Sequence, residues 1–98
     1  MALLQEDEIV EQLLSVPGWI RTGNSSRRTV ILQDFIHAMI FVNAVAMAAE
    51  KADHHPDIDI RWNTVVMTLT THQHGGLTEK DLSLAVHINS IVPLSIKE

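Results

Sequence analysis

Apolar residues recur along the 98-residue chain with two periods, helical and alternating, and the changes between them outline the elements. Between Glu6 and Val16, Ile9, Val10, Leu13 and Leu14 fall at helical spacing, and Pro17-Gly18 ends the pattern. "WIRT" and "RRTVIL" then flank "GNSS", whose Gly and Asn suit a turn. A hairpin is predicted there, with Val30 and Leu32 on one strand face. A central helix follows from about Asp34 to Asp53, with an apolar seam of Phe35, Met39, Val42, Ala46 and Ala49. Ile36, Ile40, Val45 and Met47 lie off that seam. Apolar residues therefore cover more of the helix than one sheet buries, and another subunit is expected to cover the rest.

Pro56 closes the helix, because a proline disfavours helical geometry at the residue before it; His55 should already be extended and His54 should sit at the helix end. "DIDIRW" and "TVVMTLTTH" then read as a second hairpin. With Asn63-Thr64 as a two-residue turn, Ile58 faces Leu69, Ile60 faces Met67 and Trp62 faces Val65. The same register makes His55 and His72 cross-strand neighbours, beside His54. Gly75-Gly76 permits a sharp turn into a last helix, for which Thr78 is the N-cap, Asp81 completes a capping box and Leu77 with Leu82 form a staple. Leu82, Ala85, Val86 and Val92 continue its apolar face until Pro93. The predicted fold is α+β in the order α-β-β-α-β-β-α: a four-stranded antiparallel sheet with three helices packed on one face, in a single domain over 1–98.

Composition narrows the possible functions. An apolar share of 46% is enough for a core, and 19% charged residues argues against disorder. With net charge −5 and only seven Lys and Arg, the chain repels phosphate backbones, so no nucleic-acid partner is expected. The lack of cysteine rules out thiolate catalysis and fits the cytoplasm. No apolar run is expected to reach membrane-spanning length, and "MALLQEDEIV" lacks the features of a signal peptide. A soluble cytoplasmic protein is expected, and so small a chain favours self-association.

Histidine dominates the candidate chemistry. One surface imidazole near a helix end is commonly idle. Three brought together by an independent register argument, His54, His55 and His72, point to proton transfer near neutral pH. A metal site competes, since His72-Gln-His74 brings two imidazoles close, but no helix-borne zinc spacing is present and no metal is expected. Asp81 caps its helix and could also turn its carboxylate toward the histidines. Glu50 lies one turn before His54 and could hold it, or could be merely solvated. His37 and His87 read as structural or solvent-facing. Trp19 and Trp62 could stack on a flat ligand, though burial is the commoner fate of a strand tryptophan. No phosphate loop, nucleotide fingerprint or Ser-His-Asp signature appears, and no cofactor is expected.

The stretch "AEKADHHPDIDIRWNTVVMTLTTHQHGGLTEKDLSLA" resembles the pterin-4a-carbinolamine dehydratase family. The shared motif falls on Glu50, His54-His55-Pro56, Trp62, Thr71-His72, Gly76-Leu77-Thr78 and Asp81, and Gly18-Trp19 with "QDFIHAMIFVNAVAMAAE" extends it upstream. Trp62 stands where a tyrosine is usual, Val30 and Leu32 where phenylalanine is frequent, and His74 matches no family role. The resemblance implies dehydration of 4a-hydroxytetrahydrobiopterin, or a related hydroxypterin, to quinonoid dihydropterin, in tetrahydrobiopterin regeneration. It implies His55 and His72 as acid and base in unassigned order, His54 holding the pterin, and Asp81 and Glu50 tuning charge. It places Asp53, Pro56, Thr70, Thr71 and Gln73 along the pterin pocket, with Trp19 near the ring. It further implies homodimers through the sheet and homotetramers through the central helices. Members without catalysis are the alternative: one animal branch stabilises a homeodomain transcription-factor dimer, and related domains assist Rubisco assembly.

Overall fold

The computed structural model describes residues 2–93. In order along the chain, α1 (Glu6–Leu14) leads into β1 (Ile20–Thr22) and β2 (Ser25–Ile31), then α2 (Phe35–Ala52), β3 (Asp57–Arg61), β4 (Thr64–Leu69), a 3₁₀ turn (His72–His74) and α3 (Glu79–Ile91). The fold is α+β, one antiparallel sheet in the order β1-β2-β4-β3. Its two hairpins meet along β2 and β4, and Val30, Leu32, Val65, Met67 and Leu69 form the face that the helices cover. The opposite face carries Arg27, Thr29, Asp57, Asp59, Arg61, Val66 and Thr68, which alternation along a half-covered sheet requires.

Each helix is anchored by a recognisable start. Gln5 N–H donates to Glu8 Oε1 at 2.8 Å at the head of α1. Asp34 accepts the His37 amide at 2.8 Å to cap α2. Thr78 and Asp81 make the expected reciprocal box on α3. Within α3, Leu82, Leu84, Ala85 and Ile88 are buried, while Val86 faces solvent, contrary to the predicted apolar face. In α1 only Ile9 is fully buried; Val10 and Leu14 point outward.

Two sequence expectations are corrected. The buried stripe of α2 is Ala38, Phe41, Val45, Ala48 and Ala49, whereas Phe35 and Ala46 of the predicted seam are exposed. The helix is apolar on nearly every face, so periodicity could not single out the inward one. Phe35, Ile36, Ile40 and Met47 are left exposed. By length and composition this 18-residue helix also reaches what a membrane span needs, which was not expected, though its inner stripe belongs to the core.

The second hairpin is also in a different register. Ile58 pairs with Met67, Ile60 with Val65 and Arg61 with Thr64, so the turn is Trp62–Asn63. A slip of two residues keeps every side chain on its own face, so the apolar match survives. The choice is made by β2: Leu32 N–H donates to Asn63 O at 2.8 Å, and Asn63 Nδ2 donates to Leu32 O at 3.0 Å. Trp62 takes left-handed backbone (φ 54°) and is 69% exposed rather than seated in the sheet. The strand pairing of His55 with His72 is lost with the predicted register, because β4 ends at Leu69 and His72 opens the 3₁₀ turn.

Candidate active site

The site begins where α2 stops. Asp53 adopts left-handed backbone (φ 51°), His54 N–H reaches back to Ala49 O at 3.1 Å, and Asp53 N–H reaches Glu50 O at 3.2 Å. That pair of bonds is a Schellman closure, with aspartate in the place glycine usually takes. Lys80 Nζ adds a bond to Asp53 O at 3.1 Å from α3. Pro56 then keeps the chain extended. The result is that two adjacent histidines part company: His54 turns inward and His55 outward.

His54 Nε2 lies 2.6 Å from Asp81 Oδ1, with side-chain exposures of 10% and 1%. Asp81 is held from its other oxygen too: Oδ2 accepts the Thr78 backbone N–H at 2.8 Å and the Thr71 hydroxyl at 2.7 Å. Thr71 Oγ1 and Thr78 Oγ1 are 2.8 Å apart and both residues are buried. The carboxylate thus caps α3 and grips the imidazole at the same time. Outside, His55 Nε2 meets Glu50 Oε2 at 2.6 Å, with exposures of 57% and 78%. Glu50 therefore partners His55, not the His54 that helical spacing suggested.

His72 is exposed on a loop that closes on itself. Thr71 N–H donates to Gly76 O at 2.9 Å, and Gly75 (φ 73°) returns the chain. Since Thr71 bonds Asp81 and His72 follows it directly, both histidine-bearing segments converge on one buried carboxylate. Pro56 is half-buried beside His55, and Gln73 is exposed beside His72. Thr70 Oγ1 donates to Asn24 O at 2.7 Å, toward the first hairpin. The Thr71 hydroxyl points inward, away from the surface that the resemblance assigned it. Trp19 lies elsewhere: it is buried, its indole N–H donates to Asn89 Oδ1 at 2.8 Å, and Asn89 is about 12 Å along α3 from Asp81 at the helical rise.

A cavity of about 270 Å³ reaches His54 between Ala52 of α2 and Lys80, Ser83, Leu84 and His87 of α3. Neither His55 nor His72 lines it. Sequence reasoning had not singled out Lys80 or Ser83. Their spacing of seven and four residues before His87 is the signal that sets all three along one side of α3. Among the described residues, no three His, Cys, Asp or Glu side chains group as metal ligands.

The molecule is thus a helix-covered antiparallel sheet with two histidine–carboxylate pairs where α2 ends. The profile of the family described as pterin 4 alpha carbinolamine dehydratase matches residues 2–91, and the chain belongs to that family. A provisionally named pterin-4-alpha-carbinolamine dehydratase of Mycobacteroides abscessus is 50% identical over 90 residues, which cover 92% of this chain and 96% of the relative. A protein of the same provisional name from Roseiflexus castenholzii is 52% identical over 91 residues, covering 93% and 98%. The crystal structure of a transcriptional coactivator/pterin dehydratase from Brucella melitensis superposes with TM-score 0.89 at 35% identity, covering 93% of this chain and 99% of that one. A pterin dehydratase-like RuBisCO assembly factor of the alpha-carboxysome shares the fold, with TM-score 0.65 at 18% identity over 79% of this chain and 89% of its own.

Proposed function

We propose that this chain, acting as one domain, is a dehydratase that converts 4a-hydroxytetrahydrobiopterin, or a related hydroxypterin, to quinonoid dihydropterin plus water. The observation that carries this is the buried pairing of His54 with Asp81, whose other oxygen accepts from Thr71 next to His72, with the exposed His55–Glu50 pair adjoining in the chain. In the reaction the C4a–O bond breaks as the departing hydroxyl gains a proton. A ring N–H loses a proton, and its electron pair forms the new C=N bond. Protons balance and nothing is oxidised, so two imidazoles suffice. His55 and His72, both accessible, give and take those protons; His54 holds the pterin, and Glu50 and Asp81 steady the charge. Asp53, Pro56, Thr70 and Gln73 supply the further pterin contacts of this reading. The chain then serves tetrahydropterin regeneration in the cytoplasm as a homodimer or homotetramer.

Stopped-flow mixing with freshly made 4a-hydroxypterin tests this. Saturable acceleration of quinonoid product formation is expected, and a rate equal to the uncatalysed one ends the proposal. The exposed Phe35, Ile36, Ile40 and Met47 favour a second reading, a binding module of the same fold. Stoichiometric recovery of a purified protein partner together with no dehydration would put that reading first.

A further inference from the structure

The hydroxyls of Thr71 and Thr78 form part of a hydrogen-bond chain whose direction is determined. Thr78 Oγ1 accepts from Lys80 N–H at 3.3 Å and from the Asp81 amide of the capping box. With both lone pairs engaged, its proton goes to Thr71 Oγ1 at 2.8 Å. The Thr71 proton in turn goes to Asp81 Oδ2 at 2.7 Å, where the Thr78 amide also donates at 2.8 Å. The Thr71 hydroxyl and the Thr78 amide thus both point at Asp81 Oδ2, and the Thr78 hydroxyl fixes the Thr71 rotor. The remaining contact, Asp81 Oδ1 to His54 Nε2 at 2.6 Å, therefore needs its hydrogen from the imidazole; two lone pairs at that distance would repel.

We propose that Thr71 and Thr78 are positioning residues: their hydroxyls keep Asp81 an acceptor and so hold His54 as the Nε2–H tautomer, with the Nδ1 lone pair left for the ligand. Among the described residues Nδ1 has no hydrogen-bond partner, and His54 borders the cavity between α2 and α3. The kinetic consequence rests on the dehydratase reading; the tautomer does not.

The test is ¹⁵N NMR of histidine-labelled full-length protein at a pH where the His54 ring is neutral, beside the dehydration assay. Wild type is expected to show His54 as Nε2–H. Thr71→Val, which keeps shape and removes the hydroxyl, is expected to give mixed tautomers and to raise KM on the order of tenfold, as loss of an outer partner of a ligand-holding imidazole does, with kcat little changed. Thr71→Ser, which restores the hydroxyl, should recover both readouts. A Thr71→Val protein with an unmixed Nε2–H signal and unchanged KM makes the threonines merely structural and overturns the proposal. Should that variant not fold, the wild-type spectrum decides alone: Nδ1–H, or an even mixture, is the overturning result. A protein that shows Nε2–H and dehydrates nothing refutes the function and leaves the positioning intact; one that dehydrates with the other tautomer does the reverse.

Discussion

Two histidine–carboxylate pairs of equal length, both 2.6 Å, sit on neighbouring residues in opposite surroundings. His54–Asp81 is buried, and its carboxylate takes two further donors from a threonine hydroxyl and a helix cap. His55–Glu50 lies in water. Equal distance does not mean equal worth. A buried charge must be fully hydrogen-bonded to be tolerated, so removing one partner strands the rest, whereas an exposed ion pair gains little because water competes for both ends. The inner pair is locked in by burial, and the outer one is open to solvent.

Removing the inner carboxylate should have the largest effect. Asp81→Ala strands the His54 imidazole, the Thr71 hydroxyl and the Thr78 amide, and is expected to cost about 3–5 kcal/mol in urea unfolding. A loss under about 1 kcal/mol would mean that burial adds nothing to this pair. Next come the accessible imidazoles. His55→Ala and His72→Ala should each slow dehydration by roughly 10²-fold, with stability within about 0.5 kcal/mol of wild type. A wild-type rate in His72→Ala would remove that residue from the chemistry.

Asp53 closes α2 just ahead of the two histidines, and its backbone tests that closure. Asp53→Val should lose on the order of 1–2 kcal/mol, because a β-branched side chain resists left-handed geometry, while Asp53→Gly should lose none. Glu50→Gln is expected to shift stability by under about 1 kcal/mol; a larger loss would break the contrast between inner and outer pairs.

The smallest effect belongs to a third pair, His37–Asp34, at 2.7 Å and half exposed. The His37 backbone amide, and then its imidazole, hold the Asp34 carboxyl below its ordinary value. A carboxyl depressed on folding stabilises above its unfolded pKa, and that contribution fades as pH falls through the lower folded one. Acid titration of Tm should therefore fall slightly less steeply in Asp34→Asn than in wild type. An identical slope would show that the cap is not ionic.

How far the sequence reveals this contrast depends on which residues set it. Thr78 and Asp81 announce the box at the head of α3, and Pro56 announces the break after α2, because both are local rules. That Asp81 also grips His54 was open from spacing and needed the fold to show it. The apolar pattern alone sets the second hairpin two residues off, since an even slip preserves the apolar match and only the Asn63–Leu32 bonds, distant in sequence, choose between the alternatives. That error carried the His55–His72 pairing with it. The inward stripe of α2 was hidden by a helix too uniformly apolar to show a phase. Arg28 and Ser26 on the covered sheet face broke the binary pattern outright. Arg28 donates to Pro17 O and Asn89 Oδ1 there, contacts that join a strand to a loop and a helix far along the chain.

Because Thr71 and Gly76 bond one another across its base, the four-residue excursion between them is a detachable cassette. Residues may be inserted or exchanged within it without pulling on the core, so the reach of the solvent-side imidazole is open to tuning while the interior one stays fixed. A scaffold of this kind lets one joint drift and keeps its keel.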